Sequence, residues 1–202
     1  LWKSDGTASG TTLVKDINPA SGHNDLIRFV TNVNGTLYFR ADDGTHGLEL
    51  WKSDGTASGT VMVKDINPSG DSDSNSFTAV GNILYFAAND GTNGIELWKS
   101  DGTSLGTSMV KNIDNTSNSS LWVANQFINL SGTLFFGADD VIHGSELWKS
   151  DGTSAGTVMV EDIGSGSSGG SPGRMVTIGE SLFFAAYGDP YGYELWVLIG
   201  LD

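Results

Sequence analysis

One octet constrains the fold of this chain more than any other feature. Glu49-Leu50-Trp51-Lys52-Ser53-Asp54-Gly55-Thr56 returns from Glu96 to Thr103 and from Glu146 to Thr153. Leu1 to Thr7 hold most of a further copy, and Glu194-Leu195-Trp196 begins one that continues as Val197-Leu198-Ile199 in place of the Lys-Ser-Asp-Gly turn. The motif tryptophans at 2, 51, 98, 148 and 196 are therefore 49, 47, 50 and 48 residues apart. A sustained period in this range signals a propeller, a solenoid or another array.

Each period reads as four short strands, A to D. In the second full period, Phe77 to Val80 and Ile83 to Ala88 flank Gly81-Asn82, two apolar runs around a two-residue turn, which is a hairpin signal. A polar loop, Asn89 to Gly94, leads to the strand Ile95 to Lys99, and Asp101-Gly102 supplies the positive-φ position of a tight reversal into Ser108 to Ile113. A long polar link then opens the next period. An isolated four-stranded twisted sheet would leave an apolar face in water, so neighbouring sheets must pack face to face. The pattern predicts an all-β fold, a small β-propeller of four four-stranded blades in a single domain, 1–202. The blades are expected at 26–66, 77–113, 121–163 and 175–200 plus 12–17, the N-terminal strand Thr12 to Ile17 closing the ring by completing the last blade.

The balance of Lys+Arg 10 against Asp+Glu 24, a net charge of -14, opposes attraction to nucleic acid or anionic membranes. Cations and neutral ligands are the natural partners. No run of 18 apolar residues is present, so no membrane insertion by a helix is expected. The absence of cysteine excludes disulfides, thiolate metal sites and cysteine nucleophiles. Because Leu1 is not a methionine and falls inside a motif copy, the chain is expected to be part of a larger repeat protein.

These residues resemble the ELWxxDGT repeat proteins, which are bacterial and usually extracytoplasmic, with Glu-Leu-Trp-x-x-Asp-Gly-Thr recurring about every 50 residues. The resemblance covers the whole chain. It implies a propeller-like scaffold at the cell surface or outside the cell, without a shared reaction. Four features depart from the pattern: Leu1-Trp2 lacks its glutamate, Trp196 lacks its turn, Glu161 stands where other copies have lysine, and Val141-Ile142 stands where two have Gly-Thr.

Several repeated side chains invite a chemical role but have a structural one close at hand. Asp5, Asp54, Asp101 and Asp151 sit in glycine-bearing turns, where a carboxylate accepts backbone N–H bonds. The motif tryptophans alternate with leucine and are expected to pack between blades. Glu49, Glu96, Glu146 and Glu194 are expected to pair with strand-D lysines such as Lys64 and Lys111 or to bond turns. Topology gathers the B-to-C loops and D-to-A links on one face. There the contact residues of a ligand are expected to be Asp43, His46, Asp90, Asn93, Asp140, His143, Asp189 and Tyr191. Their hydroxyl, amide, imidazole and carboxylate groups suit a glycan or a protein loop.

Calcium is a possible cofactor, but the nearest approach to a calcium loop, Asp71-Ser72-Asp73-Ser74-Asn75, is a weak one. A local zinc motif is absent, since the three histidines, His23, His46 and His143, are far apart. Asn34, Asn115, Asn118 and Asn129 open Asn-x-Ser/Thr sites, which matter only in a eukaryotic source. The function expected is non-catalytic binding at the surface or outside the cell, in adhesion or surface assembly. A polysaccharide hydrolase or lyase using the repeated glutamates and loop histidines is one alternative, and a structural repeat scaffold is another.

Overall fold

The computed structural model describes residues 1–20, 27–116, 120–121 and 126–200, and among these every regular element is a β-strand. His23 and Asn118 lie outside the described residues, as do the start of the first expected blade at 26 and part of the third, 122–125.

Five antiparallel sheets follow one another along the chain. Sheet I pairs β1 (Trp2–Lys3) with β2 (Thr12–Leu13). Sheet II contains β3 (Arg28–Val33), β4 (Thr36–Asp42), β5 (Leu48–Ser53) and β6 (Val61–Lys64) in sequential order. Sheet III repeats this with β7 (Asn75–Val80), β8 (Ile83–Asn89), β9 (Ile95–Ser100) and β10 (Ser108–Lys111). Sheet IV does so again with β11 (Ile128–Leu130), β12 (Thr133–Asp139), β13 (Ser145–Ser150) and β14 (Val158–Glu161). Sheet V has three strands, β15 (Gly173–Ile178), β16 (Ser181–Gly188) and β17 (Gly192–Ile199).

The repeat keeps register from sheet to sheet: Phe39 faces Trp51, Phe86 faces Trp98, Phe136 faces Trp148 and Phe184 faces Trp196. Alternation along each C strand then sends the leucine to one neighbouring sheet and the tryptophan to the other. Leu50 of sheet II and Trp98 of sheet III share one apolar cluster, and Leu97 of sheet III and Trp148 of sheet IV share the next. Burial of such faces is the main stabilising term here.

Lysines reinforce these interfaces. Lys3, Lys52 and Lys99 on the C strands donate to the carbonyls of Gly55, Gly102 and Gly152 in the Asp-Gly turn of the following sheet. Lys15, Lys64 and Lys111 donate to the carbonyls of Thr60, Thr107 and Thr157, again one sheet on, at 2.7–2.8 Å. Each of these three also lies over the next sheet's tryptophan ring, at 5.5–5.9 Å from its centroid. The expected pairing of Lys64 and Lys111 with the repeated glutamates is therefore replaced by bonds across to the next sheet.

The sequence departures follow from the same geometry. Sheet V has no Asp-Gly-Thr turn, so sheet IV has no carbonyls of that kind to meet. Where sheets II and III carry Tyr38 and Tyr85, whose hydroxyls abut Gly102 and Gly152, sheet IV carries Phe135. Where earlier sheets carry a D-strand lysine, sheet IV carries Glu161, and Lys149 is exposed.

The expected completion of the last blade by residues 12–17 is not formed. β2 pairs with β1, matching Trp2 to Leu13 and Lys3 to Thr12. Leu1-Trp2-Lys3 is long enough to act as a C strand, and it takes the edge of β2 that such a strand pairs with. Hairpin closure across the Ser4–Thr11 turn also loses far less chain entropy than closure across nearly the whole chain, because that loss grows with the logarithm of loop length. Among the described residues, no strand pairing or core cluster joins sheet V to sheet I.

The turn glycines give a direct test of sheet packing. Gly55 and Gly102 have φ of 84° and 88°. A Cβ at Gly55 meets open space, whereas one at Gly102 collides with the Tyr38 hydroxyl of the preceding sheet. Gly55→Ala is expected to cost about 1 kcal/mol from backbone conformation alone. Gly102→Ala is expected to cost about 1–3 kcal/mol more through overpacking, with part of that excess recovered in the Tyr38→Phe background. Urea denaturation of the four variants checks this, and equal losses at the two glycines would refute the contact.

Candidate functional site

The D-to-A links and B-to-C loops do lie together, and backbone bonds weave them. Ser72 N–H donates to the Leu48 carbonyl of sheet II, while its own carbonyl accepts from Asn89 of sheet III. Ser120 and Gly170 repeat the second contact, accepting from Asp139 and Tyr187. Each link is anchored from beneath by the motif glutamate. Glu49 accepts from Ile66 and Asn67 N–H, Glu96 from Ile113 N–H and the Ser120 hydroxyl, and Glu146 from the N–H groups of Ile163, Gly164 and Gly170. All three are fully buried, and burial pushes the carboxyls of Glu49 and Glu96 up to about 7. Glu194, in sheet V, which has three strands among the described residues, is exposed.

The turn aspartates also bond locally. Asp101 Oδ1 accepts from Thr103 N–H and from the Thr103 hydroxyl, both at 2.8 Å, and Asp5, Asp54 and Asp151 do the same with their own threonines.

Three of the four expected contact pairs share one geometry. Asp43 Oδ1 accepts from Thr45 and His46 N–H, and Asp43 Oδ2 lies 2.8 Å from His46 Nδ1. Asp140 and His143 repeat this at 2.8 Å, and Asn93 Nδ2 donates to Asp90 Oδ2 at the same distance. Each pair is closed within its own loop. In sheet V, Asp189 instead accepts from the Ser165 and Tyr187 hydroxyls, while Tyr191 projects into solvent.

A further position accompanies this one and escaped sequence reasoning: Asp65 acts electrostatically on His46 and Asp162 on His143, whereas Asn112 donates to Asn93 Oδ1. The signal is a covariation between repeats, with Asp opposite His and Asn opposite Asn. Asp43 feels burial most, but bonds from His46 and Thr45 outweigh it and hold its carboxyl below the usual range.

The bond to Asp43 raises His46 above its ordinary 6.5, and that to Asp140 raises His143. The imidazolium is thus favoured in the native loop, and its stabilisation fades as pH rises through the raised pKa. An NMR pH titration should show both histidines protonating above 6.5, with His46 returning toward that value in Asp43→Asn. An unshifted His46 in the native protein would count against the pairing.

No group of three or more His, Asp or Glu among the described residues is assembled to hold a metal. In the weak calcium segment, Asp71 Oδ1 is already engaged by Leu48 N–H at 2.8 Å.

No family model matches the chain, and no curated protein matches it. Solved structures do. TolB from Acinetobacter baumannii is 12% identical with a TM-score of 0.51, aligning 81% of this chain with 38% of its own. Puromycin hydrolase is 15% identical with a TM-score of 0.56, aligning 94% of this chain with 29% of its own. The likeness is one of fold. It supports a propeller-type succession of antiparallel sheets, and the chain spans less than two fifths of either protein.

Proposed function

We propose that this chain is a non-catalytic binding module of the ELWxxDGT repeat type, its sheets acting as propeller blades and its loop face recognising a glycan or protein at the cell surface or outside the cell. One observation carries this reading: the repeated residues with chemical potential are absorbed by the scaffold, while the loop pairs are partly exposed and preorganised. Glu49, Glu96 and Glu146 hold links from beneath, and the lysines tie sheet to sheet. Asp43–His46, Asp90–Asn93 and Asp140–His143 present donors and acceptors in loops whose backbone is already fixed, which lowers the ordering cost of binding.

A glycan-array screen with and without a calcium chelator tests the proposal. Binding is expected in at least one condition and should fall about tenfold or more in a His46→Ala/Asn93→Ala/His143→Ala variant that melts like the parent. Loss on chelation would assign a role to calcium. Binding unchanged by the triple substitution, but abolished by changes in the opposite Asp-Gly turns, would put the site on the other face.

A further inference from the structure

We infer that the groove between the inner A strands is a separate site for a carboxylate-bearing sugar. The inference rests on the glycan-binding reading above but assigns the contact to residues outside the loop pairs. The A strands of neighbouring sheets approach one another, β3 to β7, β7 to β11 and β11 to β15. They are rung together as Thr31 donates to the Phe77 carbonyl, Thr78 donates to the Phe127 carbonyl and Gln126 Oε1 accepts from Met175 N–H. Between β3, β7 and the start of the next A strand lies a cavity of about 310 Å³ lined by Phe29, Thr31, Ser76, Phe77, Gln126 and Phe127, among others. Its size falls within the roughly 300–1,000 Å³ typical of small-molecule sites. A second, of about 420 Å³, is lined by Arg174 and Tyr193 on sheet V.

The backbone along this groove is unusual in a repeated way. In sheets II, III and V the A strand is bulged against its B strand, and the bulge holds Phe29, Ser76 and Arg174 at φ of 54°, 57° and 52°. Left-handed conformations of non-glycine residues persist only where the surrounding structure over-determines them, and they cluster at active sites and ligand clamps. Counted in register, the corresponding residue of sheet IV is Gln126. The bulge thus presents Phe29, Ser76 and Arg174 at equivalent places, and Gln126 holds the same register position in sheet IV. These are the groups an acidic sugar needs: an aromatic face, hydroxyl and amide partners, and a guanidinium for the carboxylate.

Charge placement supports the assignment. The chain has only three arginines, and all of them lie on the A and B strands at this level: Arg28 opposite Arg40 in register, and Arg174 on the bulge of sheet V. Arg40 lies over the Phe29 ring at 4.9 Å, its Nε buried with no hydrogen-bond partner among the described residues. Arg28 and Arg174 are exposed, with no hydrogen bond or ion pair to a described residue. Asp71 and Asp73 act electrostatically on Arg40, and one Asp71 oxygen is held by Leu48 N–H. The net charge of -14 is screened beyond about 8 Å in physiological salt, so short guanidinium contacts decide what the groove accepts.

Calorimetric titration of the whole chain with an oligogalacturonate, and with its fully methyl-esterified form, tests this. The acid should bind and the neutral ester should bind at least tenfold more weakly. Because Arg28 and Arg174 are exposed, Arg28→Gln and Arg174→Gln should leave melting unchanged and weaken acid binding about tenfold or more together, while Lys149→Gln, exposed on sheet IV and outside both sites, leaves it unchanged. Retained acid binding in the double arginine variant would overturn the inference. So would failure of the acid to bind, or equal binding of acid and ester. Array binding of neutral glycans lost in the loop variant would leave the loop-face reading standing alone.

Discussion

Trp98→Ala is expected to lower stability by about 3–5 kcal/mol, whereas Trp2→Ala should cost less than about 1 kcal/mol. The two residues occupy the same place in the motif and differ in what covers them. Trp98 is 5% exposed between sheets II and III, with Phe86 at 6.5 Å between ring centroids and Lys64 over its ring at 5.7 Å. Its Nε1 has no hydrogen-bond partner among the described residues, so the loss is one of packing and of the cation above the ring rather than of a bond. Trp2, in a sheet of two short strands, is 65% exposed. Parallel thermal and urea denaturation of the two variants checks this. A fall of several degrees for Trp98→Ala beside almost none for Trp2→Ala is the expected result, and similar shifts would refute the inter-sheet role of the motif tryptophan.

What the octet made legible was whatever is decided within one repeat. The hairpin around Gly81-Asn82, the Asp-Gly-Thr turn and the alternation of Leu97 with Trp98 all depend on neighbours a few residues away, and the structure has each of them. What stayed hidden depends on the next sheet. Strand alternation tells which face Lys64 and Lys111 occupy, but not that their ammonium groups reach the carbonyls of Thr107 and Thr157 about 45 residues on. Of the two expectations for the glutamate, turn bonding is the one the structure has, but the particular donors belong to a link with no regular pattern of its own. The clue lay in the departures. Phe135 and Glu161 replace Tyr and Lys in the one complete sheet whose successor lacks the Asp-Gly-Thr turn. Read together, those three changes fall at one interface, between sheets IV and V. Pairing of the N-terminal strand failed as an expectation for a related reason: Leu1-Trp2-Lys3, treated as a motif remnant, already supplies the C strand that β2 requires.

Stability should fall as pH rises from about 4.5 to about 7, and the motif glutamates are the cause. Burial dominates at Glu49 and Glu96, and the hydrogen bonds from Ile66, Asn67, Ile113 and Ser120 only partly offset it, so both carboxyls are raised from 4.5 to about 7. Glu146 is raised in the same direction for the same reason. Below 4.5 the group is protonated in both folded and unfolded chains, and no difference arises. Between 4.5 and 7 the unfolded chain has released its proton while the folded chain retains it, so each step upward favours unfolding. Above 7 the loss is complete, at about 3 kcal/mol for each of Glu49 and Glu96 as an order of magnitude. The turn and loop aspartates work the other way: Asp54, Asp101 and Asp43 are held below 3.8 by bonds to the folded state, so their contribution disappears as pH falls through the acid range. Maximum stability is thus expected in mildly acidic solution, near pH 4–5. Urea midpoints measured from pH 3 to 9 should trace that maximum. In Glu96→Gln, which keeps an acceptor for Ile113 N–H without a charge, the decline between pH 5 and 8 should shrink. A variant declining as steeply as the parent would remove Glu96 as a source of the effect.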